Sequence, residues 1–292
     1  MKQLVVISGK GGTGKTSIVA SLAHLAARRA PVVTADCDVD AANLALLLPG
    51  KDRCFTDFYA GQRASIEVER CTGCAECVEH CRSKAICIEE GTALVDPLSC
   101  EGCGVCGVIC QVDAVSFSEN RAGVWMERKT EVGPLIHAEL GIAQDNSGKL
   151  VAEVRKRARE AADRDGIELV LVDGPPGIGC PVHASLTGCD LALVVTEPTP
   201  SGEHDLRRVL QLLDHFQVPA TILINKHDLS PEYTARIEEL AKDGNRVVAG
   251  EIPFLAQVPR ALSRGELPLI IPQAHDLLSQ AWQVVREILF QA

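Results

Sequence analysis

Gly9-Lys10-Gly11-Gly12-Thr13-Gly14-Lys15-Thr16 lies between a short β-branched run, Leu4–Ser8, and a segment with apolar residues at helical spacing, Thr16–Arg29. That order predicts a buried strand, a glycine-rich loop and a helix. Glycines let the backbone curl so that its N–H groups face phosphate oxygens, and the helix N-terminus adds partial positive charge. In this reading Lys15 reaches the β- and γ-phosphates and Thr16 offers a hydroxyl to Mg²⁺. The predicted phosphate-binding segment is Gly9, Lys10, Gly11, Gly12, Thr13, Gly14, Lys15, Thr16 and Ser17.

Outward from the loop, Val32–Ala35 reads as a second strand and ends in Asp36-Cys37-Asp38-Val39-Asp40. Strand, loop, helix and strand make one βαβ unit of a parallel sheet. The alternation breaks after about Gly61 and resumes with a charged amphipathic helix at Leu150–Arg164. Strands are expected at Glu168–Asp173, Leu191–Thr196, Ala220–Asn225 and Val247–Ile252, with helices at Gly202–Phe216 and Pro231–Asp243 between them. The fold class is α/β, a doubly wound and mostly parallel sheet around a P-loop NTPase core. Asp173 closes an apolar strand and reads as a Mg²⁺-directed carboxylate. Pro-Pro-Gly follows it as a switch segment.

The 292 residues are 46% apolar and 23% charged, a globular composition, with a formal net charge of −10. An acidic chain is a poor non-specific binder of nucleic acid. No run of 18 apolar residues could span a membrane, and no signal peptide is evident, so the expected location is cytoplasmic. The last stretch, His275–Gln291, is amphipathic without a basic polar face. It reads as a helix packed on the sheet, and not as a membrane anchor.

There are 13 cysteines. Eight form two copies of one pattern: Cys71, Cys74, Cys77 and Cys81, then Cys100, Cys103, Cys106 and Cys110. Thiols in a reduced compartment bind metal more often than they form disulfides. Zinc sites favour two separated Cys-x-x-Cys pairs. The spacing here is that of a bacterial two-cluster ferredoxin, in which the fourth ligand of each cluster comes from the other copy. One [4Fe–4S] cluster would use Cys71, Cys74, Cys77 and Cys110, the other Cys100, Cys103, Cys106 and Cys81. Arg82 and Gln111 stand where that pattern has proline. The expected domains are 1–64 (core, first part), 65–127 (an inserted, small α+β ferredoxin-like domain) and 128–292 (core, second part). Cys37, Cys54, Cys87 and Cys189 read as small apolar residues.

Gly-Lys-Gly-Gly-x-Gly-Lys-Thr resembles the deviant Walker A motif of the MinD/ParA/Mrp superfamily, which also contains the nitrogenase iron protein. The resemblance implies a dimer, homo- or heteromeric, with Lys10 reaching the partner's nucleotide. It also implies that Asp38 orients or deprotonates the attacking water and that Thr16, Asp38 and Asp173 hold Mg²⁺, directly or through water. Lys10, Lys15, Asp38 and Asp173 are then the catalytic set. Asn225 would contact adenine, which favours ATP. Ile224-Asn225-Lys226-His227-Asp228 also fits a guanine-reading pattern through Asp228, which leaves GTP open. Cys180, after the switch, matches the position of a cluster-bridging cysteine in the nitrogenase iron protein, but no second such cysteine is found. Three functions stay open: ATP-gated electron transfer with an unknown redox partner, iron–sulfur assembly or carriage, and a positioning ATPase with structural or sensory clusters.

Overall fold

The structure, a computed structural model, describes residues 1–142, 144 and 147–291. In chain order its elements begin with β1 (Lys2–Ser8), α1 (Lys15–Ala27), β2 (Val33–Asp36), α2 (Leu44–Leu47), β3 (Gly50–Ile66), α3 (Glu76–Glu79), β4 (Ile86–Glu89), β5 (Thr92–Val95), α4 (Val105–Ile109), β6 (Val115–Thr130) and β7 (Pro134–Leu140). They continue with α5 (Ser147–Asp165), β8 (Leu169–Pro176), α6 (Cys180–Leu186), β9 (Leu191–Thr196), α7 (Pro200–His215), β10 (Ala220–Asn225), α8 (Pro231–Asp243), β11 (Val248–Ile252), α9 (Gln257–Leu262) and α10 (Pro272–Gln291).

Two compact units result. One comprises the described residues of Met1–Phe55, Trp125–Glu139 and Ser147–Ala292; the other comprises those of Thr56–Val124 and Leu140–Asn146. The strand order of the large sheet is β11-β10-β9-β1-β8-β2-β7-β6-β3. Every pairing from β11 through β7 is parallel. The chain leaves β1 for one side through β2 and later for the other through β9. That reversal opens a crevice at the C-terminal ends of β1, β8 and β2.

The central strands are near-continuous apolar runs because both faces are covered. Leu4, Val6, Leu171 and Leu193 turn to one face, into a cluster with Ile18, Leu22 and Leu25 of α1 and Leu278, Trp282 and Val285 of α10. The opposite face packs under α5, α6 and α7. The C-terminal helix is thus a core element, as the sequence reading expects, and among the described residues no helix is long and apolar enough to cross a membrane.

β3 and β6 are absent from the sequence reading, and the reason is compositional. Lys51, Asp52, Arg53, Asp57, Gln62 and Arg63 leave β3 with no apolar alternation, and most of its side chains are exposed. β7 is short, and its apolar run carries His137. In the smaller unit β4 and β5 form an antiparallel pair. Its two short helices mirror the cysteine repeat. Each is preceded by a residue at positive φ, Ala75 at 66° before α3 and Gly104 at 84° before α4.

Leu171 is fully buried at the centre of the sheet. Leu171→Ala is expected to lower the unfolding free energy by about 2–5 kcal/mol, through lost transfer energy and a residual cavity. Urea denaturation measures this. A loss below about 1 kcal/mol would mean that the sheet centre collapses around the missing volume.

Candidate functional site

The loop from β1 to α1 depends on glycine at two points. Gly14 has φ 88°, and a Cβ there would meet Asn225 Nδ2 at 2.7 Å. A Cβ on Gly9 would lie 2.5 Å from Asp205 Cβ of α7. Lys15 opens α1 and is 6% exposed, with Nζ 2.5 Å from Asp173 Oδ1 and 4.0 Å from Asp38 Oδ2. Asp173 sits in register beside Asp36 of β2 and Val6 of β1. Parallel pairing therefore brings two buried carboxylates and one ammonium to the same crevice.

Asp36 is fully buried. Burial and the neighbouring Asp173 push its carboxyl up to about 8, against the downward pull of the Leu44 and Asp38 N–H groups and of Lys15. Its Oδ1 accepts from Asp38 N–H (3.1 Å) and its Oδ2 from Leu44 N–H (3.0 Å). Asp36 thereby ties down the segment that carries Asp38. Burial likewise raises Asp38. Asp173 Oδ2 and Thr13 Oγ1 are buried with no hydrogen-bond partner. A bare acceptor on the carboxylate that Lys15 contacts, close enough to raise Asp38, suits a hydrated Mg²⁺, and a bare hydroxyl in the loop suits a phosphate oxygen.

The loop residues Gly11 to Ser17, with Asp38, Asp40 and Pro176, line a cavity of about 760 Å³. A pocket of about 230 Å³ lies against Gly12, Gly14 and Ser17, and Phe254, Leu255, Val258 and Leu278 make it apolar. Gly12, Gly14 and Ser17 line both cavities, so the phosphate loop separates the larger space from the smaller apolar one.

Residues 4–269 match the CobQ/CobB/MinD/ParA nucleotide binding domain. The chain belongs to this family. An uncharacterized protein of Methanocaldococcus jannaschii is 36% identical over 228 residues, covering 78% of this chain and 79% of its own. A second from the same organism is 28% identical over 232 residues, covering 79% and 82%. The cell division ATPase MinD of Pyrococcus furiosus has a similar fold: TM-score 0.58, 17% identity, 98% of this chain and 99% of that one. MinD of Pyrococcus horikoshii, complexed with Mg-ADP, gives TM-score 0.60 at 16% identity, over 98% and 96%. These neighbours agree with the mostly parallel α/β fold read from the sequence.

Within this MinD/ParA core, Lys10 does not lie free. Its Nζ is 3.3 Å from Glu197 Oε2 and donates to Thr199 Oγ1 and Ser201 Oγ, each at 3.3 Å. Glu197 also pairs with Lys226. Glu197, Thr199 and Ser201 carry no motif in the sequence, and Lys226 stands there only within the guanine-reading pattern. The one available signal was their place at the C-terminal ends of β9 and β10, where α/β sheets bind ligands.

Asn225 has both ends of its amide engaged. Nδ2 donates to Thr13 O (2.8 Å) and Oδ1 accepts from Lys226 N–H (3.1 Å). In this state it buttresses the phosphate loop. Asp228 Oδ1 accepts from Phe254 N–H at 2.6 Å and so holds the wall of the apolar pocket. Cys180 is free and exposed at the start of α6. His183 packs against Phe216 with ring centroids 5.2 Å apart and the planes tilted by 53°, and His204 is exposed beside Asp205.

In the smaller unit the eight repeat cysteines fall into two sets. Cys71, Cys74, Cys77 and Cys110 line one small cavity; Cys81, Cys100, Cys103 and Cys106 line another. All thirteen cysteines are free thiols, which leaves no disulfide framework. Burial, then the nearby Cys71, pushes the Cys77 thiol up. Among the described residues no three His, Cys, Asp or Glu side chains converge to hold a single metal ion. Cys87 is exposed on β4, which corrects its expected place in the core; Cys37 is fully buried, as expected.

The Asp228 contact yields a prediction. Asp228→Ala frees Phe254 N–H and loosens the pocket wall, at a cost of about 1–1.5 kcal/mol. Titration with a fluorescent ATP analogue is expected to show about 5- to 10-fold weaker binding, with ATP still preferred to GTP. Unchanged ATP affinity with lost GTP affinity would make Asp228 a reader of guanine.

Proposed function

We propose that this protein is a nucleotide-switched ATPase of the MinD/ParA kind, with an inserted unit that holds two [4Fe–4S] clusters. The observation that carries the ATPase reading is the buried Lys15–Asp173 ion pair, whose lysine lines the 760 Å³ cavity. A γ-phosphate presents Lys15 with a more highly charged partner than one carboxylate. Lys15 would turn to it, and Asp173 would then be free to hold Mg²⁺ with Thr16. Asp38, fixed through Asp36, would orient the attacking water. Lys10 would exchange Glu197 for the nucleotide of a second subunit, as the deviant Walker A motif implies. Hydrolysis then rests on positioning and charge stabilisation.

The two cysteine sets carry the cluster reading. Each cavity gathers three closely spaced cysteines of one repeat and the fourth cysteine of the other, the crossed ligand set expected from the spacing. Four thiolates repel one another in one small space, so their full ionisation needs a bound cationic group. Clusters bound there would supply one-electron transfer, and a redox partner would be required. Four ligands per site make two complete sets, which disfavours a carrier role; Cys180 is one of five cysteines left outside them. A second reading, a positioning ATPase with structural or sensory clusters, draws on the likeness to MinD and to McdA of Cyanothece (TM-score 0.59, 17% identity, 99% of this chain and 96% of that one).

Two variants test the reading. Lys15→Ala is expected to weaken ATP binding by about 30-fold or more, from the loss of a buried charge contact, with iron content unchanged. Cys74→Ala is expected to remove the iron of one cluster and leave ATP binding intact. Full iron content in Cys74→Ala would exclude the ligand assignment. Unaltered ATP binding in Lys15→Ala would exclude the site.

A further inference from the structure

The two halves of the cysteine repeat have matching backbones. After Cys81, Lys84 stands at φ 53° and its N–H donates to Cys81 O (3.1 Å); after Cys110, Asp113 stands at φ 49° and its N–H donates to Cys110 O (3.3 Å). Ala85 N–H donates to Cys81 Sγ and Ala114 N–H to Cys110 Sγ, both at 3.3 Å. One side chain breaks the match. Ser83 Oγ lies 3.5 Å from Cys81 Sγ and lines that cavity. Val112 holds the equivalent position in the other copy, lines the other cavity and has no hydrogen to donate.

We propose that Ser83 sets the reduction potential of the site formed by Cys81, Cys100, Cys103 and Cys106. This rests on the cluster reading above. A thiolate bound to iron has no proton, so the contact has one possible direction, from hydroxyl to sulfur. A donor aimed at a ligand sulfur stabilises the reduced state more than the oxidised one, because the reduced state is more negative. The potential rises accordingly. Arg82 and Lys84 flank Ser83 and have the same sign of effect, but both are exposed, so solvent and salt screen them. The hydroxyl acts at contact. Among the described residues the donors to the other site's sulfurs are backbone ones, Ala114 N–H on Cys110 and Ala93 N–H on Cys71 (3.5 Å). One site is therefore tuned by a side chain and the other by the main chain.

The test is an anaerobic dithionite titration of the reconstituted full chain, followed by EPR, one electron per couple. Ser83→Ala is expected to lower one couple by a factor of about ten in its equilibrium constant, or about 59 mV for one electron, and to leave the other in place. Ser83→Thr, which keeps the hydroxyl, is expected to restore it. Two unchanged couples in Ser83→Ala at full iron content would overturn the proposal while leaving the cluster reading intact. A shift of both couples together, or a shift that Ser83→Thr fails to reverse, would also overturn it, since either points to a structural effect. Failure of the wild-type chain to bind iron would instead overturn the cluster reading itself.

Discussion

The buried ion pair between Lys15 and Asp173 is the contact on which the site depends. Two strands in parallel register place Asp173 beside Asp36, and neither carboxylate reaches water. One ammonium serves both. Removing Lys15 from such a group leaves uncompensated buried charge, which is costly. A ligand that takes Lys15 away must therefore bring its own compensation, as Mg²⁺ with a polyphosphate would in the proposed function. The Asp36 carboxyl is displaced upward by burial first and by the neighbouring Asp173 second.

Around this pair the fold distributes its restraints. Asp36 holds the backbone that carries Asp38 and α2. Asn225 holds the loop through Thr13, and Asp228 holds the apolar pocket through Phe254. Glu197 occupies Lys10 and Lys226 together. These contacts come from the C-terminal ends of different strands, so a change at the phosphate is felt by several segments at once. Such a layout suits a switch, in which one ligand shifts the balance between two sets of contacts.

Much of this was legible in the sequence, and the limits are physical. The loop, Lys15 and Asp173 announce themselves because glycine spacing and an apolar strand ending in one carboxylate are local patterns. The core strands and α10 show because burial on both faces demands apolar runs or a helical period. β3 lacks that demand, being largely exposed, and β6 is mostly half-buried with charged residues (Glu119, Arg121, Glu127, Arg128, Lys129) through its length, so neither leaves a clear period to read. Glu197 and Lys226 stay hidden because an ion pair between two strand ends has no sequence spacing. Asp228 was legible as a residue but not in its role: its partner, Phe254, is distant in sequence. Cys87 resembles a core residue in composition only; its strand turns it outward. The two cysteine sets are the reverse case, since the repeat itself carries the crossed pairing.

The measurement that bears most directly on the central claim is the solution mass of the full chain by sedimentation velocity. It would be taken with Mg²⁺ and a non-hydrolysable ATP analogue, and again with Mg-ADP. A nucleotide switch that draws Lys10 from Glu197 to a second subunit's nucleotide predicts a dimer with the ATP analogue and a monomer with ADP. The same mass in both states, at saturating nucleotide, would contradict it.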